Sequence, residues 1–270
     1  MGARGDLTGL DGKVVVVTGA GQGLGATTAR FAGEQGASVV LFDVDLDAAQ
    51  GVVDEVGADG GTARAVRCDV ADEGSVRGAV GETIEEFGRI DGLVNNAGVI
   101  GFERLEDLDV AEWDRLVAVN LRGTFLCTQH VGRVMLERGS GSIVNIGSVA
   151  AGAPQPNSGA YSPTKAAVVM LARQAAVEWG PAGLRANAVS PGIMETPMAQ
   201  GFLADPETRA RRLSMVASRR FADPREVASV IAWLLSDGSS YVNGQNLEVD
   251  GGMMQVLLGL LPRPGTPPLR

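Results

Sequence analysis

Residues 13–30, KVVVVTGAGQGLGATTAR, decide the fold of this chain. A run of β-branched residues leads into a glycine-rich turn, and a helical pattern follows from Gly23 to about Gln35. Gly19, Gly23 and Gly25 form a G-x-x-x-G-x-G pattern, which permits a tight turn and close approach of a pyrophosphate to the N–H groups of a helix N-terminus. In this strand–turn–helix context the pattern indicates a dinucleotide-binding loop, and a plain tight turn is the alternative.

The alternation of strand and helix continues along the chain. Six further short strands are predicted at 38–43, 63–69, 90–98, 142–148, 184–192 and 246–252. Helical patterns separate them at about 46–56, 73–87, 109–119, 121–138, 160–179 and 224–235. Near-continuous apolar strands are typical of a sheet that is covered on both faces. The sequence therefore predicts one α/β domain over residues 1–270, a Rossmann fold with a doubly wound, seven-stranded parallel sheet and helices on both faces.

Two segments depart from this alternation. Residues 193–223 form a long insertion between a strand end and the last helix, and segments of this kind are often lids or binding loops. Residues 254–270 are predicted to be a C-terminal tail that frays towards its Pro-rich end. The apolar stretch MMQVLLGLL at 253–261 is too short to span a bilayer, so we expect no membrane association.

Composition narrows the classes of partner. The chain has 270 residues, 45% of them hydrophobic, and a net charge of −9, which argues against a nucleic-acid partner. His130 is the only histidine and lies in a helical pattern, so we expect it to be structural and expect no metal site. Cys68 and Cys127 lie in separate apolar runs and are predicted to be free buried thiols, as is typical of a cytoplasmic protein.

The second strand ends at Asp43, which lies 20 residues after Gly23. A carboxylate at this distance binds the adenosine ribose hydroxyls in Rossmann units and repels a 2′-phosphate. Gln22 occupies the position where a phosphate-binding basic residue could have been. These residues favour NAD over NADP, although Asp43 could also be a turn residue at a strand end.

A tyrosine and a lysine lie one helical turn apart in GAYSPTKAA, residues 159–167. Tyr161 and Lys165 can share one helix face, and Pro163 is tolerated because it falls in the first helical turn. A free tyrosine titrates near pH 10. A tyrosine base that works near neutrality needs a pKa roughly three units lower, about 4 kcal/mol, and a neighbouring ammonium favours that shift.

With these motifs in order, the chain resembles the short-chain dehydrogenase/reductase family from about Leu7 to Met253. The resemblance rests on motifs that occur in the family's order along the chain: TGAGQGLG, CDV at 68–70, NNAG at 95–98, Asn120, Ser148, YSPTK, PGIMETP at 191–197 and DGG at 250–252. Joint occurrence of these motifs by chance is implausible. Pro163 and Thr164 are a minor departure, because the family often has small residues there.

The resemblance assigns two sets of site residues. The implied catalytic set has Tyr161 as general acid/base, Ser148 holding the substrate oxygen, Lys165 acting on both the tyrosine and the ribose, and Asn120 holding a relay water. The implied cofactor-binding set shares Tyr161 and Lys165, and its other members are Gly19, Gln22, Gly23, Leu24, Gly25, Asp43, Asp69, Val70, Asn96, Gly98, Ile193 and Thr196. Asn95 is expected to have a partly structural role, tying neighbouring strands together.

The sequence thus predicts an NAD-dependent oxidoreductase that interconverts a secondary alcohol and a ketone. Two alternatives remain open: a 3-oxoacyl thioester reductase, and a catalytically silent dinucleotide-binding regulatory protein. The family resemblance also implies a homotetramer built on the long helices. Five lid arginines are expected either to form a solvated face or to meet an anionic substrate, and they are Arg209, Arg211, Arg212, Arg219 and Arg220.

Overall fold

A computed structural model describes residues 9–256 of the protein, the side chain of Phe202 excepted. Seven strands form one sheet in the order β3-β2-β1-β4-β5-β6-β7, and every neighbouring pair is parallel. The predicted Rossmann fold is therefore confirmed. The strands are β1 (Val14–Thr18), β2 (Ser38–Asp43), β3 (Thr62–Arg67), β4 (Gly92–Asn95), β5 (Gly141–Ile146), β6 (Leu184–Pro191) and β7 (Asn246–Val249).

Helices cover both faces of this sheet. They are α1 (Gly23–Glu34), α2 (Leu46–Ala58), α3 (Glu73–Phe87), α4 (Val110–Leu116), α5 (Thr124–Arg138), α6 (Tyr161–Trp179), α7 (Pro197–Leu203), α8 (Pro206–Ser214) and α9 (Pro224–Leu235). In β1, Val15 and Val17 belong to a core cluster that includes residues of α1, α2 and α9. Val14 and Val16 point the other way, into a cluster with residues of α3, α5 and α6. The fully apolar β1 is explained by these two cores, since neither face of the strand meets water.

The helices predicted at 109–119 and 121–138 are continuous in the structure. A π-helical segment, Val117–Gly123, joins α4 to α5. Asn120 lies at its centre, and its main-chain oxygen accepts a hydrogen bond from the Thr124 hydroxyl at 2.7 Å. Single-turn π-helical segments inside α-helices are frequent at functional sites, and this one turns the buried Asn120 side chain towards the residues after β4.

The predicted lid is a folded subdomain of the structure. Helices α7 and α8 lie within residues 193–223, where the sequence indicated only a long insertion. Ala199, Leu203 and Phe221 form a small buried cluster of their own. A parallel bridge between Met194 and Ala222 joins the two ends of the lid. The lid is therefore a folded unit beside the carboxyl ends of the strands.

Two expectations concern the C-terminus and the membrane. Of the predicted tail, residues 254 and 255 belong to a short 3-10 turn, Met253–Gln255, and residue 256 follows it. Residues 257–270 lie outside the described part. In residues 9–256, the helices are too short or too polar to cross a membrane.

Candidate active site

A cavity of about 1480 Å³ opens at the carboxyl ends of the strands, below the lid. The strand order reverses between β1 and β4, and ligands of open α/β sheets bind at such a switch point. Only Gly25 and Asn120 of the predicted site residues do not line the cavity. The others do, and they are Gly19, Gln22, Gly23, Leu24, Asp43, Asp69, Val70, Asn96, Gly98, Ser148, Tyr161, Lys165, Ile193 and Thr196.

The glycine loop has the geometry that requires glycine. Gly19 has φ +62°, and a Cβ there would lie 2.8 Å from Cα of Ala97. A Cβ at Gly25 would overlap the carbonyl oxygen of Gly19, which explains why Gly25 belongs to the loop although it lies behind the cavity surface. The loop therefore packs directly on the residues after β4.

Asp43 is bound to the same loop. One carboxylate oxygen accepts a hydrogen bond from the Gly21 N–H at 2.8 Å, and the other accepts from the Asp45 N–H at 3.0 Å. The carboxylate is thereby fixed at the cavity wall at the end of β2. If Asp43 were only a turn residue, its bond with Asp45 would be explained, but its bond with Gly21 of the glycine loop would not.

The NNAG segment holds neighbouring elements together. The Asn95 amide donates to Asn145 on β5 at 2.8 Å and to Thr128 on α5 at 2.9 Å, which confirms its strand-tying role. The Asn96 amide donates to the carbonyl oxygens of Thr18 and Gly19, both at 2.9 Å. Asn96 thus supports the glycine loop from the side, and it also lines the cavity.

Asn120 lies directly behind the cavity wall. Its side chain accepts from the Val99 N–H at 2.8 Å and donates to the Val99 carbonyl at 2.9 Å. It also donates to the Thr164 hydroxyl at 3.2 Å. A Cβ at Gly98 would lie 3.3 Å from Oδ1 of Asn120 and 3.5 Å from Nζ of Lys165. A glycine at position 98 therefore lets these two side chains approach the same point.

Ser148, Tyr161 and Lys165 meet at the centre of the cavity. Tyr161 is the first residue of α6, in agreement with the helical pattern predicted from about residue 160 and with Pro163 in the first turn. The Ser148 hydroxyl oxygen accepts from the Ala150 N–H at 3.1 Å, which leaves its hydrogen for another acceptor. Lys165 is buried, and its ammonium donates to the Ile146 carbonyl at 2.8 Å and lies 5.7 Å from the Tyr161 ring centroid.

Burial governs the protonation of this pair. It raises the pKa of Tyr161 above its ordinary value, and the contact with Ser148 lowers that pKa by less. It also lowers the pKa of Lys165 to about 8. In the protein alone, the pKa of Tyr161 therefore moves opposite to the lowering that the sequence predicted, because removal from water penalises the phenolate.

The lid arginines are held largely by the chain itself. Arg209 pairs with Glu195 and lies over the Phe221 ring, 5.0 Å from its centroid. Arg211 lies 3.7 Å from Glu207, and Arg220 forms a two-bond pair with Glu226. Arg219 donates to the Ser214 carbonyl at 2.7 Å. Arg211 and Arg212 also line the cavity.

Sequence reasoning missed one feature of the cavity. Its wall includes five methionines from the lid and from the turn after β7, which are Met194, Met198, Met215, Met253 and Met254. In the sequence, two of these methionines flank the Glu–Thr–Pro run after β6, and a third directly follows α8. The periodicity of strands and helices does not predict that these three segments meet at one cavity.

Comparisons with known proteins agree with this geometry. A family model described as enoyl-(acyl carrier protein) reductase matches residues 19–254. The cis-4-hydroxycyclohexanecarboxylate dehydrogenase of Sinomonas cyclohexanicum is 44% identical over 245 residues, which cover 90% of this chain and 97% of that protein. The D-threitol dehydrogenase of Mycolicibacterium smegmatis is 40% identical over 243 residues, which cover 90% of this chain and 93% of that protein.

Solved structures show the same likeness across nearly the whole length. The NAD⁺-bound structure of a xylitol dehydrogenase has a TM-score of 0.86 at 35% identity and covers 90% of this chain and 99% of that one. A gluconate 5-dehydrogenase from Burkholderia cenocepacia, in complex with NADP and tartrate, has a TM-score of 0.89 at 35% identity. The match covers 92% of this chain and 98% of that one. Together with the Ser148–Tyr161–Lys165 geometry, these matches show that the chain belongs to the short-chain dehydrogenase/reductase family of oxidoreductases.

Proposed function

We propose that the protein is an NAD-dependent dehydrogenase that interconverts a secondary alcohol and a ketone. The observation that carries the proposal is one continuous cavity that joins the glycine loop and Asp43 to Ser148, Tyr161 and Lys165. The similar dehydrogenases are named for hydroxyl-bearing substrates, cyclic or open-chain. Co-location of the three reactive side chains argues against a catalytically silent regulatory protein.

The described residues fit a dinucleotide. At the N-termini of α2, α3 and α9, a backbone N–H of each helix donates a hydrogen bond to an aspartate side chain. Helix α1 begins in the cavity wall without such a side-chain cap from the described residues, so its first N–H groups suit a pyrophosphate. Gly23 has open space, since a Cβ there would meet only Thr196 and Pro197 atoms at 3.9 Å. Gly19, Gln22, Gly23, Leu24 and Thr196 are the proposed pyrophosphate neighbours.

The remaining cofactor-binding roles follow from position along the wall. Asp69 and Val70 are proposed to flank the adenine. Asn96 and Gly98 are proposed to line the nicotinamide-side ribose, which Lys165 also reaches, and Ile193 is proposed to meet the carboxamide. The roles of these residues rest on the cavity that they share and on the family resemblance.

The choice of NAD over NADP rests on charge at the adenosine end. Asp43 places a fixed carboxylate there, bonded to Gly21 and Asp45. Of the described cavity-lining residues, the cations are Arg115, Lys165, Arg211 and Arg212. Arg115 is engaged by both oxygens of Glu112, and the other three come from α6 and α8. A 2′-phosphate beside Asp43 would therefore meet a like charge, and among the described lining residues neither β2 nor the glycine loop supplies a cation.

The reaction follows from the three central side chains. A nicotinamide dinucleotide held along this cavity would supply the hydride exchange with the carbon that bears the oxygen. The Ser148 hydroxyl donates to that oxygen and holds it beside Tyr161. In ketone reduction the neutral Tyr161 hydroxyl gives its proton to the oxygen, and the raised pKa keeps the proton available near neutral pH. In alcohol oxidation the phenolate takes the proton, and the nearby Lys165 ammonium favours that charged state.

Lys165 and Asn120 are proposed to return the proton to solvent. The two side chains converge around Gly98, and the amide of Asn120 is fixed by three hydrogen bonds to Val99 and Thr164. A lysine whose pKa is lowered to about 8 can exchange a proton near neutrality. Asn120 is therefore a positioning residue for a relay water.

We also propose a cytoplasmic homotetramer. Both cysteines are free thiols, as a reducing compartment allows.

Several large apolar side chains on α4, α5 and α6 are exposed, among them Val110 at 72%, Phe125 at 43% and Val177 at 76%. An apolar helical face of this kind suits a subunit interface.

A 3-oxoacyl thioester reductase is the second candidate. The description of the matching family model, enoyl-(acyl carrier protein) reductase, favours a thioester substrate. Asp43 weighs against this candidate, because such enzymes usually take NADPH.

The test is an assay of the purified protein with NAD and NADP on secondary alcohols, and with the reduced cofactors on ketones and an acetoacetyl thioester. Absorbance of the reduced nicotinamide reports turnover. We expect oxidation of a secondary alcohol with a kcat/KM at least about tenfold higher for NAD. Binding of NAD without any turnover would support the regulatory alternative. Preferential reduction of the thioester with NADPH would support the second candidate.

A further inference from the structure

We infer that the substrate is a neutral, apolar cyclic secondary alcohol or its ketone, which packs against the methionine wall (Met194, Met198, Met215, Met253 and Met254). This inference rests on the proposed function and names the substrate class of that site. The wall contains five of the eight methionines of the chain. Methionine is unbranched and polarizable, so it fits apolar ligands of irregular outline.

The wall is assembled from three separate segments. Met194 and Met198 enter from the start of the lid, and Met215 comes from the end of α8. Met253 and Met254 follow β7 in a turn that Asp250 holds, since its carboxylate accepts from the Met254 N–H at 2.8 Å. These three segments are far apart in sequence, and the tertiary structure brings all of them to the same cavity.

The loop after Ser148 is a second apolar part of the lining. The loop after Ser148 contributes Val149, Ala150, Ala153, Pro154 and Pro156 to the lining. A Cβ at Gly152 would lie 3.5 Å from the methyl carbon of Met254, so the methionine wall reaches across to this loop. A flat or puckered hydrocarbon ring can therefore contact both the methionine wall and this loop when its oxygen is at Ser148 and Tyr161.

A polyol is disfavoured by the same surfaces. Each hydroxyl beyond the reacting one needs a hydrogen-bond partner, and a hydroxyl buried without one is costly. Among the cavity-lining residues of the loop after Ser148, which the structure describes, Gln155 has the polar side chain. It can pair with one hydroxyl, whereas a four-carbon polyol brings three more than the reaction uses, so the loop and the methionine wall leave two of them without a partner from these two surfaces.

The charges of α8 favour a neutral substrate over an anionic one. Its lining residues include Asp205 and Glu207 as well as Arg211 and Arg212, so acidic and basic side chains balance. The Asp205 carboxylate accepts from the Thr208 N–H at 2.8 Å, and Glu207 lies beside Arg211. A carboxylate on the substrate would meet both signs of charge on this helix.

The experiment compares kcat/KM for cyclohexanol, threitol and cis-4-hydroxycyclohexanecarboxylate with NAD. We expect cyclohexanol to exceed threitol by about 100-fold or more and to be at least as good as the carboxylate. A Met215→Gln/Met254→Gln variant keeps side-chain length and removes apolar contact. We expect it to lower the cyclohexanol-to-threitol ratio about tenfold.

Met170→Gln is the matched control, because Met170 lies on α6 with 56% exposure and does not line the cavity. It should leave the ratio unchanged, and the ratio itself cancels any change in the amount of active enzyme. The inference is overturned if threitol or the carboxylate is the best substrate, or if the double variant keeps the parent ratio while the proposed function still stands.

A binding measurement tests the apolar substrate site independently of turnover. If no alcohol is oxidised with either cofactor, the proposed function fails. Calorimetry with cyclohexanone and NADH then applies: binding that the double variant weakens about tenfold supports the apolar site. Absence of binding, or equal binding by both proteins, contradicts it.

Discussion

Lys165 gives folding stability a testable dependence on pH. Its pKa falls from 10.5 to about 8 in the folded protein through burial. Below pH 8 Lys165 is protonated in both the folded and the unfolded protein. Burial of the ammonium then lowers the stability of the folded state by its full amount. Between pH 8 and 10.5 the unfolded state binds more protons, so folding stability rises with pH across this window.

Replacement of Lys165 by methionine should remove this dependence. We expect the stability of the parent, relative to Lys165→Met, to rise by about 2–3 kcal/mol between pH 7 and pH 10. Urea unfolding at each pH measures the difference. Lys13→Met is the control, since Lys13 pairs at the surface with the 90% exposed Asp237. A Lys165→Met difference that stays constant with pH would contradict the buried ammonium.

Asp43 tests cofactor selection at the same scale. Asp43→Ala should reduce the ratio of kcat/KM for NAD over NADP from at least about tenfold towards unity, because the repulsive carboxylate is gone. Asp45→Ala is the matched control: Asp45 caps α2 through Ala48 and does not line the cavity. Initial rates with both cofactors give the ratio. An unchanged ratio in Asp43→Ala would show that another group selects the cofactor.

The sequence anticipated these residues because each lies in a local motif. Asp43 is at a fixed distance from the glycines, and Tyr161 and Lys165 are one helical turn apart. The pKa direction of Tyr161 was not predictable in this way, since it depends on burial by residues far along the chain. Motif spacing places a side chain, whereas its solvation is set by the assembled fold.

Helix α9 provides a prediction at the scale of an element. Asp223 caps it by accepting from the Arg225 N–H at 2.9 Å, and the Glu226 side chain accepts from the Asp223 N–H at 3.0 Å. Asp223→Ala should lower the free energy of unfolding by about 1 kcal/mol and leave kcat unchanged. Denaturant titration measures the difference, with Asp237→Ala as the comparison variant, because it removes the surface ion pair with Lys13. Equal stabilities for both variants would mean that the cap contributes nothing beyond surface charge.

Other elements show where periodicity stops being informative. The strands and most helices were predictable because both cores demand regular apolar patterns. The π-helical segment around Asn120 was not, since its hydrogen bonds join residues 99, 120 and 164. The helices of the lid were also missed, because α7 and α8 are short and α8 has no buried residue.

At the scale of the whole molecule, we expect four chains. The exposed apolar face on α4–α6 would be covered in a homotetramer, with a mass of about four times 27.9 kDa. Multi-angle light scattering at micromolar concentration measures it. Phe125→Glu/Val177→Glu, on this face, should yield smaller species. A monomeric parent would contradict the proposal.

Hydride transfer assisted by Tyr161 is the central claim, and one measurement tests it most directly. Tyr161→Phe deletes the hydroxyl and little else, whereas Tyr241→Phe deletes the hydroxyl of the other tyrosine, which is fully exposed. The account predicts that Tyr161→Phe lowers kcat/KM for NAD-linked alcohol oxidation by about 10²–10⁴-fold, with NAD affinity nearly unchanged and Tyr241→Phe like the parent. A Tyr161→Phe enzyme that retains near-parental kcat/KM would contradict it.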